Sequence, residues 1–329
     1  MYTFEEIVGN EHIIKNLQTS IYNNKLTHAY IIDGAVGSGK KLLSNTIAKT
    51  LQCERKGITP CCECISCKSF DSFNHPDVIY VKASKTKSIG IDDIRTQIGG
   101  VVEVKPYKYK YKIFIIEDAD KMTVQAQNAI LKTIEEPPSY AVFLLLSTHY
   151  NSFLETILSR CVVVKIKALS ENSIKKYIVE HLNSDENSAK LYSAFSRGSI
   201  GQAEKIATSE AFINTRAEII NLLTSVRNKD TIGLFEAAKQ LEVYKDSIDH
   251  ILDIFYMWYR DITILKSTKD EKYVIQKDKI VELKVGSEQL SYERLFNVLG
   301  TIENTRVQLS KNANFSLAIE LMLLKINRT

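Results

Sequence analysis

Apolar positions in the first half of the chain switch between two periods. Ile13, Ile14, Leu17 and Ile21 recur at helical spacing, which predicts a helix over Glu11–Asn23. Ala29-Tyr30-Ile31-Ile32 is a continuous apolar run of strand type. A glycine-rich segment follows it, and then Leu42, Leu43, Ile47 and Leu51 mark a helix starting at Lys40. Further apolar runs at Val78–Val81, Ile113–Ile116, Val142–Leu146 and Val162–Ile166 predict four more strands. Asp92, Ile94 and Ile98 predict a helix that Gly99-Gly100 should end. Val124–Glu135, with Ala126, Ala129, Ile130 and Ile134 in phase, predicts another, stopped by Pro137-Pro138. Strands alternating with helices imply a parallel sheet covered on both faces. That region ends near Lys167.

Beyond it the periodicity is almost wholly helical. Ser170 is placed to cap one helix. Gly198-Ser-Ile-Gly201 punctuates the next pair, and long amphipathic stretches include Ile248–Leu265 and Phe315–Ile326. Val285-Gly286-Ser287 and Gly300 read as weak breaks. The expected organisation is an α/β domain over 1–167, a small helical module over 168–208 and a larger all-α domain over 209–329.

Composition changes this picture little. The 329 residues are 44% hydrophobic and 25% charged, ordinary for a globular chain. A net charge of +4 is too small to argue for nucleic acid alone. No apolar run approaches the roughly 18 residues of a membrane helix, and the acidic N-terminus does not resemble a signal peptide. A cytoplasmic protein with reduced cysteines is expected. The six histidines are scattered without metal-ligand spacing.

Four stretches carry chemistry. Gly34, Gly37, Gly39 and Lys40 lie in a G-x-x-x-x-G-K loop between strand and helix, the setting of a phosphate cradle. The following position should offer a hydroxyl to Mg²⁺ but is Lys41, so ATP and Mg²⁺ binding are in question. The strand Ile113–Ile116 runs into Glu117-Asp118, where a hydrolysing site wants Asp then Glu. Each acid is one methylene from the length its role requires, so the pair reads either as a decayed catalytic edge or as a solvated strand end. Cys53, Cys61, Cys64 and Cys67, with Cys62 as a competitor for Cys61, fit a closed, structural zinc site near 53–67. Lys105-Pro-Tyr-Lys-Tyr-Lys-Tyr-Lys112 alternates base and aromatic, either a nucleic-acid contact or a solvated loop. Arg160, in Ser159-Arg160-Cys161 just before the last strand, reads either as a surface salt-bridge residue or as an arginine placed to serve its own site or a neighbour's.

Together these residues resemble the AAA+ clamp-loader subunits of bacterial replicative DNA polymerase III. The likeness is carried by Phe4…Ile7-Val-Gly-Asn-Glu-His12, Leu26-Thr-His28-Ala-Tyr30, the cysteine insert, His75-Pro-Asp77, Ala119-Asp-Lys-Met-Thr123 through Ile134-Glu-Glu-Pro-Pro138, Ser159-Arg160-Cys161 and Asn314–Glu320. The resemblance implies a P-loop AAA+ domain with a zinc module, a helical lid and an oligomerising collar. It also implies a ring of five with gamma/tau motor subunits and delta, acting on a sliding clamp and primed DNA. In that family the arginine at position 160 reaches into the adjacent subunit's ATP site. Lys41, Glu117-Asp118 and Gly201, the last in the place of a lid arginine, depart from the motor subunits. They match the family's non-hydrolysing stator, an accessory subunit of a DNA-directed DNA polymerase. Two rivals are a working ATPase subunit and a zinc-dependent nucleic-acid-binding module.

Overall fold

The computed structural model describes residues 2–84, 88–226 and 229–328. Met1 and Thr329, the outer bounds of the expected domains, lie outside the described residues. The chain divides into two compact units, Met1–Ile174 with Arg197–Gln202, and Lys175–Ser196 with Ala203–Thr329. The segment 168–208 is thus shared between the units.

The first unit contains strands β1 (Ala29–Asp33), β2 (Val78–Val81), β3 (Lys112–Ile116), β4 (Ala141–Ser147) and β5 (Val162–Lys165). Its helices are α1 (Glu11–Tyr22), α2 (Lys40–Gln52), α3 (Ile65–Asp71), α4 (Ile91–Ile94), α5 (Gly100–Val102), α6 (Val124–Glu135) and α7 (Glu155–Leu158). The strands form one parallel sheet in the order β2-β3-β4-β1-β5. Alternate residues feed opposite faces. Ile31, Phe114, Ile116, Phe143 and Leu145 pack with α4 and α6, while Tyr30, Ile32, Ile113, Ile115 and Leu144 pack with α1 and α2. Burial on both faces explains why β3 and β4 are continuous apolar runs rather than alternating ones.

The predicted stop at Gly99-Gly100 does not occur. The backbone stays helical through a π-turn at Arg95–Gly99 into α5. Ile98 and Val102 are both buried in the core, and that packing outweighs the roughly 1 kcal/mol cost of a helical glycine. Ser170 does cap its helix, accepting the Ser173 N–H at 3.2 Å.

The remaining helices are α8 (Glu171–Leu182), α9 (Glu186–Phe195), α10 (Ile200–Ala207), α11 (Glu210–Ser225), α12 (Thr231–Leu241), α13 (Ile248–Thr268), α14 (Ile280–Gln289), α15 (Tyr292–Ser310) and α16 (Phe315–Arg328). In the second unit, Phe255, Trp258 and Ile262 of α13 sit at the centre of an apolar core reaching from Phe195 to Ile326. The expected breaks at Gly286 and Gly300 are absent, since α14 and α15 run through them. Gly286 lets α14 pack closely on α13: a Cβ there would come within 2.8 Å of Ile262 Cδ1, which would have to shift. No helix among the described residues is long and apolar enough to cross a membrane.

Candidate functional site

β1 ends at Asp33 and turns through the glycine loop into α2. Gly37 (φ 75°) and Gly39 (φ 91°) adopt left-handed backbone, which a side chain would strain. Gly39 is also the N-cap of α2 and supplies no capping side chain to its first-turn donors. Lys40 Nζ donates to Gly34 O at 2.6 Å and Ala35 O at 2.8 Å, leaving one of its three protons for an anion. Burial lowers the Lys40 pKa, opposed by the charges of Asp120, Asp33 and Asp118. The glycine loop thus joins β1 to α2 as the sequence predicts, with Lys40 folded back onto its carbonyls.

The metal side of that cradle is altered. Lys41 Nζ lies 2.8 Å from Glu117 Oε1, and Lys82 Nζ lies 3.8 Å from the same oxygen. The Lys41 contact is an ion pair whose alignment falls outside hydrogen-bond geometry. In a hydrolysing P-loop a hydroxyl and a carboxylate at these positions hold Mg²⁺. A divalent cation placed about 4 Å from one ammonium would meet about 2 kcal/mol of repulsion even in water. Asp118, at φ 50°, is paired with Lys121 at 2.8 Å. Asp120 accepts the Thr148 hydroxyl at 2.5 Å and its N–H at 3.2 Å, tying the end of β4 to the acidic turn after β3.

The Gly198–Gly201 segment lies directly on the glycine loop. Gly201 N–H donates to Gly37 O at 3.1 Å, and Ser199 Oγ donates to Val36 O at 3.0 Å. A Cβ on Gly201 would stand 2.9 Å from Gly37 O and 3.0 Å from its Cα. No side chain, arginine included, fits at 201 in this arrangement.

Arg160 stands elsewhere. β1 and β5 run parallel, with Tyr30 beside Val162 and Asp33 beside Lys165. Arg160 precedes β5 while the glycine loop follows β1, so the two lie at opposite ends of neighbouring strands. The five residues of β1, at about 3.3 Å each, separate them by roughly 16 Å, too far for one side chain to bridge. Arg160 Nη2 pairs with Glu135 Oε1 at 2.9 Å, and Nη1 donates to Thr156 O at 3.0 Å and Ser159 Oγ at 3.1 Å. Neighbouring Cys161 is buried, which pushes its thiol up to about 12, so it packs as an inert anchor.

The sulfurs of Cys53, Cys61, Cys64 and Cys67 all lie within 4.8 Å of one another. Tetrahedral zinc at 2.3 Å from each sulfur needs about 3.8 Å between sulfurs, so the four fit one ion with slight contraction. Backbone N–H groups already point at the sulfurs: Cys61 N to Cys53, Cys64 N to Cys61 and Cys67 N to Cys64, at 3.3 to 3.4 Å. N–H groups from Glu63 and Cys64 lower the Cys61 thiol to about 6, favouring the thiolate a metal requires, whereas burial raises Cys53 and Cys67. Cys62 lies outside the cluster. Its backbone is left-handed at φ 60°, and its sulfur faces Pro60 O at 3.6 Å and Lys49 Nζ at 3.5 Å. The insert is bound to α2 by the buried Lys49, which pairs with Asp71 at 2.7 Å.

The backbone of the 105–112 run is anchored within the chain, while the side chains of Lys105, Tyr107, Lys108 and Lys110 are exposed. Asp77 accepts N–H groups from Tyr107, Lys108 and Tyr109 at 2.6, 3.2 and 3.3 Å. Lys112 is buried and donates to the carbonyls of Val101 and Val104. Tyr109 lies against His75 and Lys108 near Glu54.

Two family models match the chain: "DNA polymerase III, delta subunit" over residues 9–170, and "DNA polymerase III, delta subunit, C terminal" over 210–328. The chain belongs to the DNA polymerase III clamp-loader subunits. Among similar curated proteins, subunit tau of Bacillus subtilis is 28% identical over 99% of this chain and 62% of its own length. Subunit tau/gamma of Haemophilus influenzae is 38% identical over 56% of this chain and 26% of its own length. Subunit delta' of B. subtilis is 26% identical over 95% of both. The chain thus spans less than two thirds of the tau-type relatives it matches.

Seen as a clamp-loader subunit, the chain has a glycine loop closed by Lys40, with Lys41 and Glu117 paired beside it. Sequence reading located the glycine loop, the two acids, the cysteines and Arg160. It missed Thr148, Lys82 and the partner of Arg160, Glu135. A hydroxyl residue just after the central apolar strand was the available signal for Thr148. Nothing local marks Lys82 or Glu135, since their roles depend on strand order.

Proposed function

We propose that this chain is the delta-prime-type stator of a DNA polymerase III clamp loader. It lends Arg160 to ATP on a neighbouring motor subunit and hydrolyses no ATP itself. The observation that carries this reading is the Lys41–Glu117 ion pair, which puts an ammonium where a motor subunit needs Mg²⁺. Supporting it, Arg160 lies at the end of the strands away from its own loop and is suited to a nucleotide on another molecule.

In this reading 1–167 is the AAA+ domain, 168–208 a lid and 209–329 a collar that assembles with gamma/tau and delta subunits in a five-membered ring. Cys53, Cys61, Cys64 and Cys67 hold a structural Zn²⁺ that fixes the insert onto α2 and supplies no reactive position. ATP on the motor subunits orders the ring so that it opens the sliding clamp on primed DNA, and hydrolysis releases the clamp. The setting is the cytoplasm. An active-ATPase reading is disfavoured by Lys41, and a zinc-dependent nucleic-acid module by the burial of Lys112 and the packing of Tyr109 on His75, which take two of the alternating residues out of the run. The test is to mix the chain with motor and delta subunits, weigh the complex and compare its ATPase with and without this chain. Incorporation with increased ATPase supports the stator. Failure to assemble, or an ATPase indifferent to its presence, contradicts it.

A further inference from the structure

Arg160 is not a free side chain. Its guanidinium is held on three sides, by Glu135, the Thr156 carbonyl and the Ser159 hydroxyl. Glu135 is the last residue of α6, where the helix carries partial negative charge and a carboxylate is unfavourable without a cation beside it. The two side chains are 38% and 43% exposed. An ion pair so exposed adds little to folding stability, so the fold does not need it. Carboxylate and phosphoryl oxygens suit the same guanidinium fork.

We propose that Glu135 is a positioning residue for Arg160, an exchangeable counter-ion that gives way to the phosphate of a nucleotide on the adjoining subunit. This rests on the reading of Arg160 as a finger acting in trans. Before assembly Glu135 fixes the guanidinium at the sheet edge and neutralises it. In the assembled ring the phosphate must displace the carboxylate, so Glu135 weakens nucleotide engagement.

The test is Glu135→Gln in the fully reconstituted complex, with ATP as the probe. Glutamine keeps the length and an oxygen acceptor but removes the competing charge. The expected result is a KM for ATP lowered about twofold to fivefold, the range a half-exposed ion pair is worth, with kcat unchanged. Added salt should shrink the difference, because exposed pairs are screened. In an Arg160→Ala background the same substitution should change nothing. An unchanged KM, or a lowered kcat as the main effect, overturns the counter-ion role. If Arg160→Ala alone lowers kcat while Glu135→Gln leaves KM unmoved, the finger stands and only this inference falls. If Arg160→Ala leaves kcat unmoved, the finger reading itself fails.

Discussion

Lys41 and Glu117 compensate one another: the ammonium that replaces a metal-binding hydroxyl sits 2.8 Å from the carboxylate that replaces a metal-binding aspartate. Either change alone would leave a poor metal site. Together they form an ion pair beside the glycine loop. The loop can keep its P-loop shape, as the Lys40 contacts to Gly34 and Ala35 show, without the Mg²⁺ that hydrolysis needs.

If Lys41 stands in for the metal, removing it should readmit one. The double variant Lys41→Ser, Glu117→Asp is expected to bind a fluorescent ATP analogue about tenfold more tightly with Mg²⁺ than without, a difference of about 1.4 kcal/mol. The unaltered chain should show no such dependence. Equal Mg²⁺ enhancement in both proteins would contradict the substitution argument.

The cysteine cluster predicts one zinc per chain. Cys61→Ser should lose it and Cys62→Ser should keep it, since only Cys61 lies among the other three sulfurs. Because the metal is bound only by the folded insert, chelation should lower the melting temperature. Zinc content by mass spectrometry and a melting curve check both statements. A Cys62→Ser protein without zinc would reverse the ligand assignment.

His75 supplies a pH dependence. Its Nδ1 accepts the Asp77 N–H at 3.2 Å, and its Nε2 lies 3.1 Å from Ser66 Oγ, which donates to Gln52 O at 2.7 Å. Nδ1 is therefore unprotonated in the fold, and burial holds the imidazole pKa below its ordinary 6.5. A base whose folded pKa is lowered contributes stability that is complete above the unfolded value. That stability is lost as pH falls from about 6.5 through the lower folded value, at no more than about 1.4 kcal/mol per pH unit. Denaturant unfolding between pH 7 and 5.5 should show this slope, and His75→Gln should reduce it. A slope unaffected by the substitution would assign the acid sensitivity to other groups.

The contact between Gly37 and Gly201 predicts that a side chain at 201 is costly. Gly201→Ala should lose about 1–3 kcal/mol, the usual range for overpacking, because its Cβ meets backbone atoms that cannot rotate away. Gly201→Arg should likewise lower the melting temperature and create no nucleotide contact. Wild-type thermal stability in Gly201→Ala would show that this segment can lift from the loop at little cost.

The strands, the glycine loop and the four cysteines were legible because each is marked locally, by a run, a dipeptide or a spacing. Long-range relationships were not. The separation of Arg160 from Gly34 follows from β5 lying beside β1 in parallel, which no local pattern encodes. Glu135 and Arg160 are 25 residues apart in the chain and meet only because α6 ends close to the turn before β5. Local rules also failed at Gly99-Gly100 and Gly286, where packing of Val102 and the approach of Ile262 decide the backbone.

The most direct measurement is steady-state ATP hydrolysis by the clamp loader reconstituted with Arg160→Ala. An arginine finger is worth on the order of 10³ or more in turnover at the site it serves. The account predicts that the variant assembles normally, retains its zinc and loses hydrolysis at the neighbouring site by about that factor. Hydrolysis at the unaltered rate in a fully assembled ring would contradict it.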